Sequence, residues 1–242
     1  MIDGFTDPSG TTFDGVSGGR FASRAIAAVV RALPRAVTAE EAVRAMSAAL
    51  SGARPRVRPG PGGPGFGRPC AVATLYSDER REVWRVGDAP FMVGSDLHAR
   101  TTAVNRAAAD FRRALVSALL TAGADADELR SSQAGFSALR PLLDVQAALG
   151  NRVDSPFGYP VLDGSRVPRD FIEVHAVEDD RDVVLATDGY PELLPTLLAS
   201  EERLAEMLRA DPLGIDELAD VGKEWDPANC SYDDRAYVRL RT

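Results

Sequence analysis

Residues 182–198 read DVVLATDGYPELLPTLL. Four apolar residues in a row, Val183 to Ala186, have the composition of a fully buried strand, and they lead directly to a carboxylate, Asp188, and a glycine. A charge beside a buried strand is costly unless a cation or hydrogen-bond donors meet it. The stretch therefore allows two interpretations: Asp188 binds a cation, or it caps a helix that begins near Pro191.

Aspartates stand at similar boundaries near both ends of the chain. The sequence opens with MIDG, and SYDD precedes the final segment, RAYVRLRT. If folding gathers these boundaries, Asp3, Asp188 and Asp233 form an oxygen cage suited to Mg²⁺ or Mn²⁺. Asp-Gly is also a common turn dipeptide, and it recurs at Asp14. The competing prediction is an unrelated α+β domain in which the three carboxylates lie far apart.

Composition restricts the class of protein and the kind of metal. The 242 residues are 45% hydrophobic and 26% charged, which is ordinary for a globular chain, and the net charge of -8 argues against nucleic acid and anionic membranes as partners. With two cysteines and two histidines, a Cys/His zinc cage is nearly excluded, so a bound metal should have oxygen ligands. No secretory signal or membrane-spanning run is visible, and we expect a cytoplasmic protein.

Helical spacing is clearest in three segments. GGRFASRAIAAVVRALP ends at Pro34, and TAEEAVRAMSAALSG opens with Thr38 and Glu41 in capping-box spacing. Further helices are predicted in FSALRPLLDVQAALGN, PELLPTLLASEERLAEMLRADP and IDELADVGKEW. The segment from residue 103 to Gly123 predicts a long amphipathic helix with its apolar face at Val104, Ala108, Phe111, Leu115 and Leu119.

Strand patterns surround these helices. CAVATLYSDERREVWRVGDAPFMVG predicts a meander of short strands, and GYPVLDG, FIEVHAV, DVVLATDG and RAYVRLRT predict further strands. Residues 53–69 are too rich in proline and glycine for either element and are interpreted as a loop within the domain. Strands in runs, then helices, then strands again predict an α+β fold of packed sheets with helices outside, rather than a doubly wound parallel sheet.

The order of these pieces resembles the PP2C-type (PPM) metal-dependent protein phosphatases. The resemblance is carried by DG followed by a Gly-Gly helix, then VWRVGDAPFMV, VVLATDG and SYDDRAYVRL, and it covers essentially the whole chain. It implies one domain, residues 1–242, folded as an αββα sandwich of two mainly antiparallel sheets flanked by helix pairs. It also implies a Mn²⁺- or Mg²⁺-dependent enzyme with two ions, and a third in some members, whose activated water hydrolyses phosphoserine and phosphothreonine in proteins of a Ser/Thr kinase signalling pathway.

The resemblance also implies roles for particular residues. Asp3 would bridge the two ions and the carbonyl of Gly4 would add a ligand, while Asp188 and Asp233 would complete the cage. Asp88, in GDA, and Glu192 match positions at which related enzymes hold an additional, weaker metal. DGVSGG makes Asp14 a rival for the first ligand, but TTF is a poorer apolar strand than the MI before Asp3.

The chain departs from the family pattern at its start. A first strand that carries an acidic ligand, and in many members a phosphate-binding arginine, is missing, and Phe5 replaces a histidine that is a plausible general acid. Neither His98 nor His175 falls in a matching place. Either the domain is N-terminally incomplete, which the apolar MI favours, or the chain is a catalytically weak or inactive PP2C-like signalling or interaction module.

Overall fold

The structure is a computed structural model that describes residues 1–5, 11–53, 68–221, 224–225 and 230–242. The strands are β1 (Ile2–Gly4), β2 (Thr12–Phe13), β3 (Val16–Ser17), β4 (Ala71–Ser77), β5 (Glu82–Val86), β6 (Phe91–Val93), β7 (Asp96–His98), β8 (Glu173–Ala176), β9 (Asp182–Ala186) and β10 (Tyr237–Arg241). The helices are α1 (Gly18–Ala32), α2 (Ala39–Ser51), α3 (Ala103–Thr121), α4 (Ala126–Ser131), α5 (Ala134–Ala138), α6 (Arg140–Leu143) and α7 (Leu197–Ala210).

Eight of these strands form two four-stranded sheets. The first sheet has the order β1-β4-β5-β8 and the second has the order β10-β9-β6-β7, while β2 and β3 form a separate hairpin. The strand pairs of both sheets are antiparallel. The predicted fold class, α+β with mainly antiparallel sheets, is therefore confirmed.

The two sheets pack face to face because their side chains alternate. Val83 of β5 packs with Phe91, Val183 and Leu185 of the second sheet in one buried cluster. Trp84, the next residue of β5, points the other way and packs with α1 and α2. This period of two gives each sheet one face toward the other sheet and one toward the helices.

The helices cover the two outer faces and complete an αββα order of layers. Ile26 of α1 and Met46 of α2 pack on the first sheet, and each fully buried apolar side chain of this kind contributes about 1.5–3 kcal/mol. The predicted capping box of α2 is present, with Thr38 and Glu41 each accepting from the other's backbone N–H. On the second sheet, α7 and Leu218 pack together in one buried cluster with residues of β6 and β9.

Three predicted elements differ from the structure. GYPVLDG does not form a strand: it makes isolated bridges, because Pro160 has no N–H to donate and the amide of Asn151 bonds both the N–H and the carbonyl of Val161. The helix predicted in residues 136–151 is broken into α5, α6 and a 3-10 turn. In the described part of IDELADVGKEW there is only the 3-10 turn Ala219–Val221.

The apolar face predicted for α3 is partly wrong. The structure buries Val104, Ala109, Arg112 and Val116, and leaves the Phe111 side chain 53% exposed. An arginine occupies the centre of the buried stripe because its guanidinium donates to backbone carbonyls of residues 213, 214 and 219.

Two further predictions concern the Pro/Gly-rich loop and membrane-spanning segments. Most of the Pro/Gly-rich loop, residues 53–69, lies outside the described residues. Across the described ranges, no helix is both long and apolar enough to cross a bilayer.

Candidate metal centre

Asp3 and Asp188 meet at one end of the sandwich. Asp3 is the central residue of β1 in the first sheet, opposite Val72, and Asp188 follows β9 of the second sheet by two residues. Their side chains are hydrogen-bonded to each other. Two carboxyl groups can share a hydrogen bond only if one of them carries a proton. The pair therefore carries one negative charge rather than two.

The electrostatics of Asp3 bring two further carboxylates into the cluster. Burial, and then the negative charge of Asp188 and the hydrogen bond with it, raise the pKa of Asp3 to about 8. The charges of Asp234 and Asp233 raise it further in the same direction. Four acidic side chains from three separate segments therefore act on one another, and we call Asp3, Asp188, Asp233 and Asp234 the acidic cluster.

Asp88 lies within reach of the same charges. Burial, followed by the charge of Asp188, raises its pKa to about 6, although Arg85 and Arg100 oppose the shift. One of its carboxylate oxygens accepts a hydrogen bond from the Asn105 side chain at 3.0 Å. Asp88 lies in the connection between β5 and β6, so it comes from a chain segment that contributes no member of the acidic cluster.

Backbone pairing beyond the end of β9 holds Asp188 and Asp233 in the same region. The N–H of Thr187 donates to the carbonyl of Ala236 at 3.1 Å, and the N–H of Ala236 donates to the Thr187 hydroxyl at 2.9 Å. The buried Tyr232 hydroxyl donates to the backbone carbonyl of Asp188 at 2.8 Å. Burial, then the charges of Asp188 and Asp233, raise the pKa of Tyr232, so this hydroxyl remains a donor.

Glycines follow Asp3 and Asp188 because the backbone is crowded there. A Cβ on Gly189 would lie 2.4 Å from the carbonyl oxygen of Asp234. A Cβ on Gly4 would lie 2.3 Å from the carbonyl oxygen of Gly19, where the first turn of α1 rests against β1. Both distances are far shorter than any real contact, so only glycine allows the segments to approach this closely.

The structure separates Asp3 from its rival Asp14. Asp14 and Gly15 form the two-residue turn between β2 and β3, with φ values of 48° and 80°. Two successive positive φ angles are those of a type I′ hairpin turn, for which Asp-Gly is a preferred sequence. The Asp14 side chain is exposed, so the dipeptide serves as a turn at this position.

The helix-cap interpretation of Asp188 is wrong. The helix after β9 begins at Leu197, and the hydroxyl of Thr196 caps it by accepting from the N–H of Ala199. Glu192 lies before this helix, and its carboxylate accepts from Arg203 Nε at 2.6 Å. Arg203 also binds Glu217 at 3.0 Å. The structure thus places Glu192 in an ion pair with α7.

The oxygen atoms of these side chains suit a hard divalent cation, although they are not arranged as a complete coordination site. Across the described residues, no group of three or more His, Cys, Asp or Glu side chains is already arranged to hold a metal ion. The acidic cluster nevertheless offers only oxygen donors, as Mg²⁺ and Mn²⁺ prefer. Burial and then the neighbouring carboxylates raise the pKa of Asp3, and a divalent cation would relieve the repulsion among these carboxylates.

The sequence does not fix which of Asp233 and Asp234 faces inward, and only the resemblance places the ligand first, at Asp233. In the structure, the charge of Asp234 affects Asp3 more than that of Asp233 does, and Asp233 accepts a hydrogen bond from the N–H of Asp234 at 2.9 Å. Asp234 therefore belongs to the cluster beside Asp233, and Tyr232 and Asn105 were missed. Nothing in SYDD or in the helical pattern around Asn105 distinguishes these side chains from solvent-facing ones.

No protein-family model matches the sequence, and no curated protein matches it. Among solved structures, the catalytic domain of the serine/threonine protein phosphatase PstP in complex with two manganese ions is similar, with 15% identity, a TM-score of 0.35, and coverage of 91% of this chain and 80% of that chain. The Mycobacterium tuberculosis serine/threonine phosphatase PstP/Ppp matches with 14% identity, a TM-score of 0.35, and coverage of 90% and 80%.

Proposed function

We propose that this chain is a Mn²⁺- or Mg²⁺-dependent phosphatase that hydrolyses phosphoserine and phosphothreonine in proteins. The observation that carries the proposal is the hydrogen-bonded pair of Asp3 and Asp188, which joins the two sheets with Asp233 and Asp234 beside it. The order of the Asp-Gly motifs along the sequence, which resembles the PP2C pattern, supports the same chemistry. The substrates would be phosphoproteins of a Ser/Thr kinase signalling pathway in the cytoplasm.

Asp3, Asp188 and Asp233 would hold the two ions, and the carbonyl of Gly4 would add an oxygen. Asp88 would serve an additional, weaker ion, since it already senses the charge of Asp188. Glu192 could contribute only after leaving Arg203, because that arginine occupies its carboxylate. Asp234 would be a fourth carboxylate at the site, because its charge also acts on Asp3.

Two divalent ions at such a site lower the pKa of bound water and neutralise charge that develops on a transferring phosphoryl group. The residues of the chain prepare the site for them. Burial and the charge of Asp188 raise the pKa of Asp3 to about 8, so the Asp3–Asp188 pair shares a proton that it must release to bind a cation. Tyr232 fixes the backbone of Asp188 through its hydroxyl, so this part of the main chain does not have to be ordered when the ion arrives.

Hydrolysis of p-nitrophenyl phosphate and of a phosphothreonine peptide, with Mn²⁺ and with a chelator, tests the proposal. Asp188→Asn should abolish the metal-dependent activity, because it removes a carboxylate of the central pair. Asp14→Asn is the matched control: it makes the same change in an exposed turn, where asparagine tolerates a positive φ, and it should keep the activity. Hydrolysis that needs no metal and survives Asp188→Asn would refute the proposal.

The alternative is a catalytically weak or inactive PP2C-like signalling or interaction module. It is favoured by one observation, namely that in the described part of the chain no three acidic side chains are yet arranged around a cation. Titration calorimetry separates the two functions. The phosphatase proposal expects Mn²⁺ to bind the wild type and not Asp188→Asn, whereas no binding even at millimolar Mn²⁺ supports the module.

A further inference from the structure

A pocket of about 470 Å³ opens beside the acidic cluster. Asp233 and Asp234 belong to both, since they line the pocket and their charges also act on Asp3. The other lining residues are Tyr190, Leu197, Glu201, Cys230, Arg235 and Tyr237. A group that entered this pocket would therefore reach the side chains that we propose as metal ligands.

Arg235 is held rigidly at the wall of the pocket. Its Nε and Nη2 donate to the two carboxylate oxygens of Glu201 at 2.8 and 2.7 Å, and its guanidinium carbon lies 6.0 Å from the centre of the Tyr190 ring. The Tyr190 hydroxyl donates to the same carboxylate. A bidentate pair of this kind orients the guanidinium plane in advance, which lowers the entropy lost when another ligand binds.

The remaining nitrogen of Arg235 has a weak partner. Nη1 lies 3.9 Å from Cys230 Sγ, and sulfur is a poor acceptor. Glu201 uses Nε and Nη2, so the Nη1 edge retains strong donor capacity. Only about a fifth of the Arg235 side chain is exposed to solvent. A donor edge of this kind suits the oxygens of a phosphoryl group.

Arg235 is also the one cation among the described residues that line the pocket. Two other arginines whose charge reaches Asp88 are already engaged elsewhere. Arg85 is buried between the sheets, where it binds Glu173 at 2.6 Å and the carbonyl of His98 at 2.7 Å, and Arg100 pairs with the same glutamate. We infer that Arg235 binds the phosphoryl group of the substrate through its Nη1 edge and directs it toward the acidic cluster.

This inference rests on the proposed function for the identity of its ligand, and Arg235→Lys tests it. Lysine keeps the positive charge but loses the planar fork, so one end of the phosphoryl group is no longer oriented. We expect the KM for a phosphothreonine peptide to rise about tenfold, with a smaller change in kcat. The dissociation constant of inorganic phosphate for the Mn²⁺-loaded protein, measured by calorimetry, should rise by a similar factor of about ten.

Arg239→Lys is the matched control. Arg239 lies on β10 four residues further along, and it pairs with Asp182 on the exposed surface, away from the pocket. Its variant should leave KM and phosphate affinity unchanged. Mn²⁺ affinity, measured separately, should be equal in the wild type and both variants.

The outcomes separate the two proposals. A wild type without metal-dependent hydrolysis defeats the phosphatase function, but the phosphate titration still tests Arg235. Equal phosphate affinities in Arg235→Lys and Arg239→Lys overturn the inference, and so does a wild-type protein that does not bind phosphate at all. An active wild type whose KM is the same in both variants overturns the inference and leaves the phosphatase function standing.

Discussion

The Asp3 and Asp188 side chains come from different sheets and share a hydrogen bond that requires a proton. Because burial and neighbouring charge raise the pKa of Asp3 to about 8, far above that of an ordinary aspartate, the folded protein binds this proton over a pH range in which the unfolded chain has lost it. The pair is thus a source of instability that grows as pH rises, unless a cation replaces the proton.

The metal-free protein should therefore lose stability as the pH rises from about 4 to about 8, the interval between the pKa of Asp3 in the unfolded chain and in the folded protein. Within this window, Asp3 is protonated in the folded state and ionised in the unfolded state, so the free energy of unfolding falls with rising pH by up to about 1.4 kcal/mol per pH unit. Urea unfolding in a chelator at several pH values measures the slope. Asp188→Asn should end the fall at a lower pH, because the repelling charge is gone while burial still raises the pKa of Asp3, whereas Asp14→Asn should leave the profile unchanged. The same upper limit in wild type and Asp188→Asn would contradict the assignment.

Gly189→Ala tests the close approach between the Asp188 and Asp234 segments. The added Cβ would meet the Asp234 carbonyl at 2.4 Å, so residues 233–235 must move, and overpacking of this kind costs about 1–3 kcal/mol. We expect a lower melting temperature and weaker Mn²⁺ binding by calorimetry. Gly52→Ala, at the end of α2, is the control, because nothing lies within 4 Å of its added Cβ and neither quantity should fall. Unchanged Mn²⁺ affinity in Gly189→Ala would show that the two segments need not touch.

At the scale of elements, the sequence predicted helix ends better than helix faces. The Thr38 capping box and the stop of α1 before Pro34 depend on neighbouring residues alone, and the structure has both. The buried face of α3 depends on what packs against it. An arginine is usually solvated, and only the carbonyls of residues 213, 214 and 219 make Arg112 a core residue.

Arg112 should hold α3 to the segment around residue 224. Arg112 and Glu224 are both fully buried, and Glu224 accepts from the N–H groups of Gly135 and Phe136. Arg112→Met leaves this carboxylate without its cation, and we expect a loss of about 3–5 kcal/mol in urea unfolding. Adding Glu224→Gln should recover part of that loss, because the uncompensated charge is removed. A double variant as unstable as the sum of the single ones would exclude coupling between the two side chains.

At the scale of the whole molecule, the packing of the two sheets brings Asp3 of β1 to Asp188 beyond the end of β9, and this layering creates the acidic cluster. Because the cluster exists only in the folded state, a cation bound there must stabilise the fold. Mn²⁺ at about one hundred times its dissociation constant should add about 2.7 kcal/mol, which corresponds to roughly 5–10 °C in melting temperature for a domain of this size.

Thermal unfolding with increasing Mn²⁺ measures this linkage. Asp188→Asn should show no metal-dependent shift, while Asp14→Asn should shift like the wild type, because its carboxylate lies in a surface turn. A shift of equal size in Asp188→Asn would place the stabilising ion elsewhere in the molecule.

The sequence by itself determined the α+β class, the ends of α1 and α2, most of the strands, and the presence of aspartates where apolar runs stop. These features depend on periodicity and on residues that are neighbours along the chain. Only the tertiary structure decided that Asp3 rather than Asp14 faces Asp188, that Asp234 joins them, and that Asn151 bonds Val161 where a strand was expected. Such pairings join residues that are far apart in sequence, and local patterns cannot specify them because their energy arises only when the two sheets pack together.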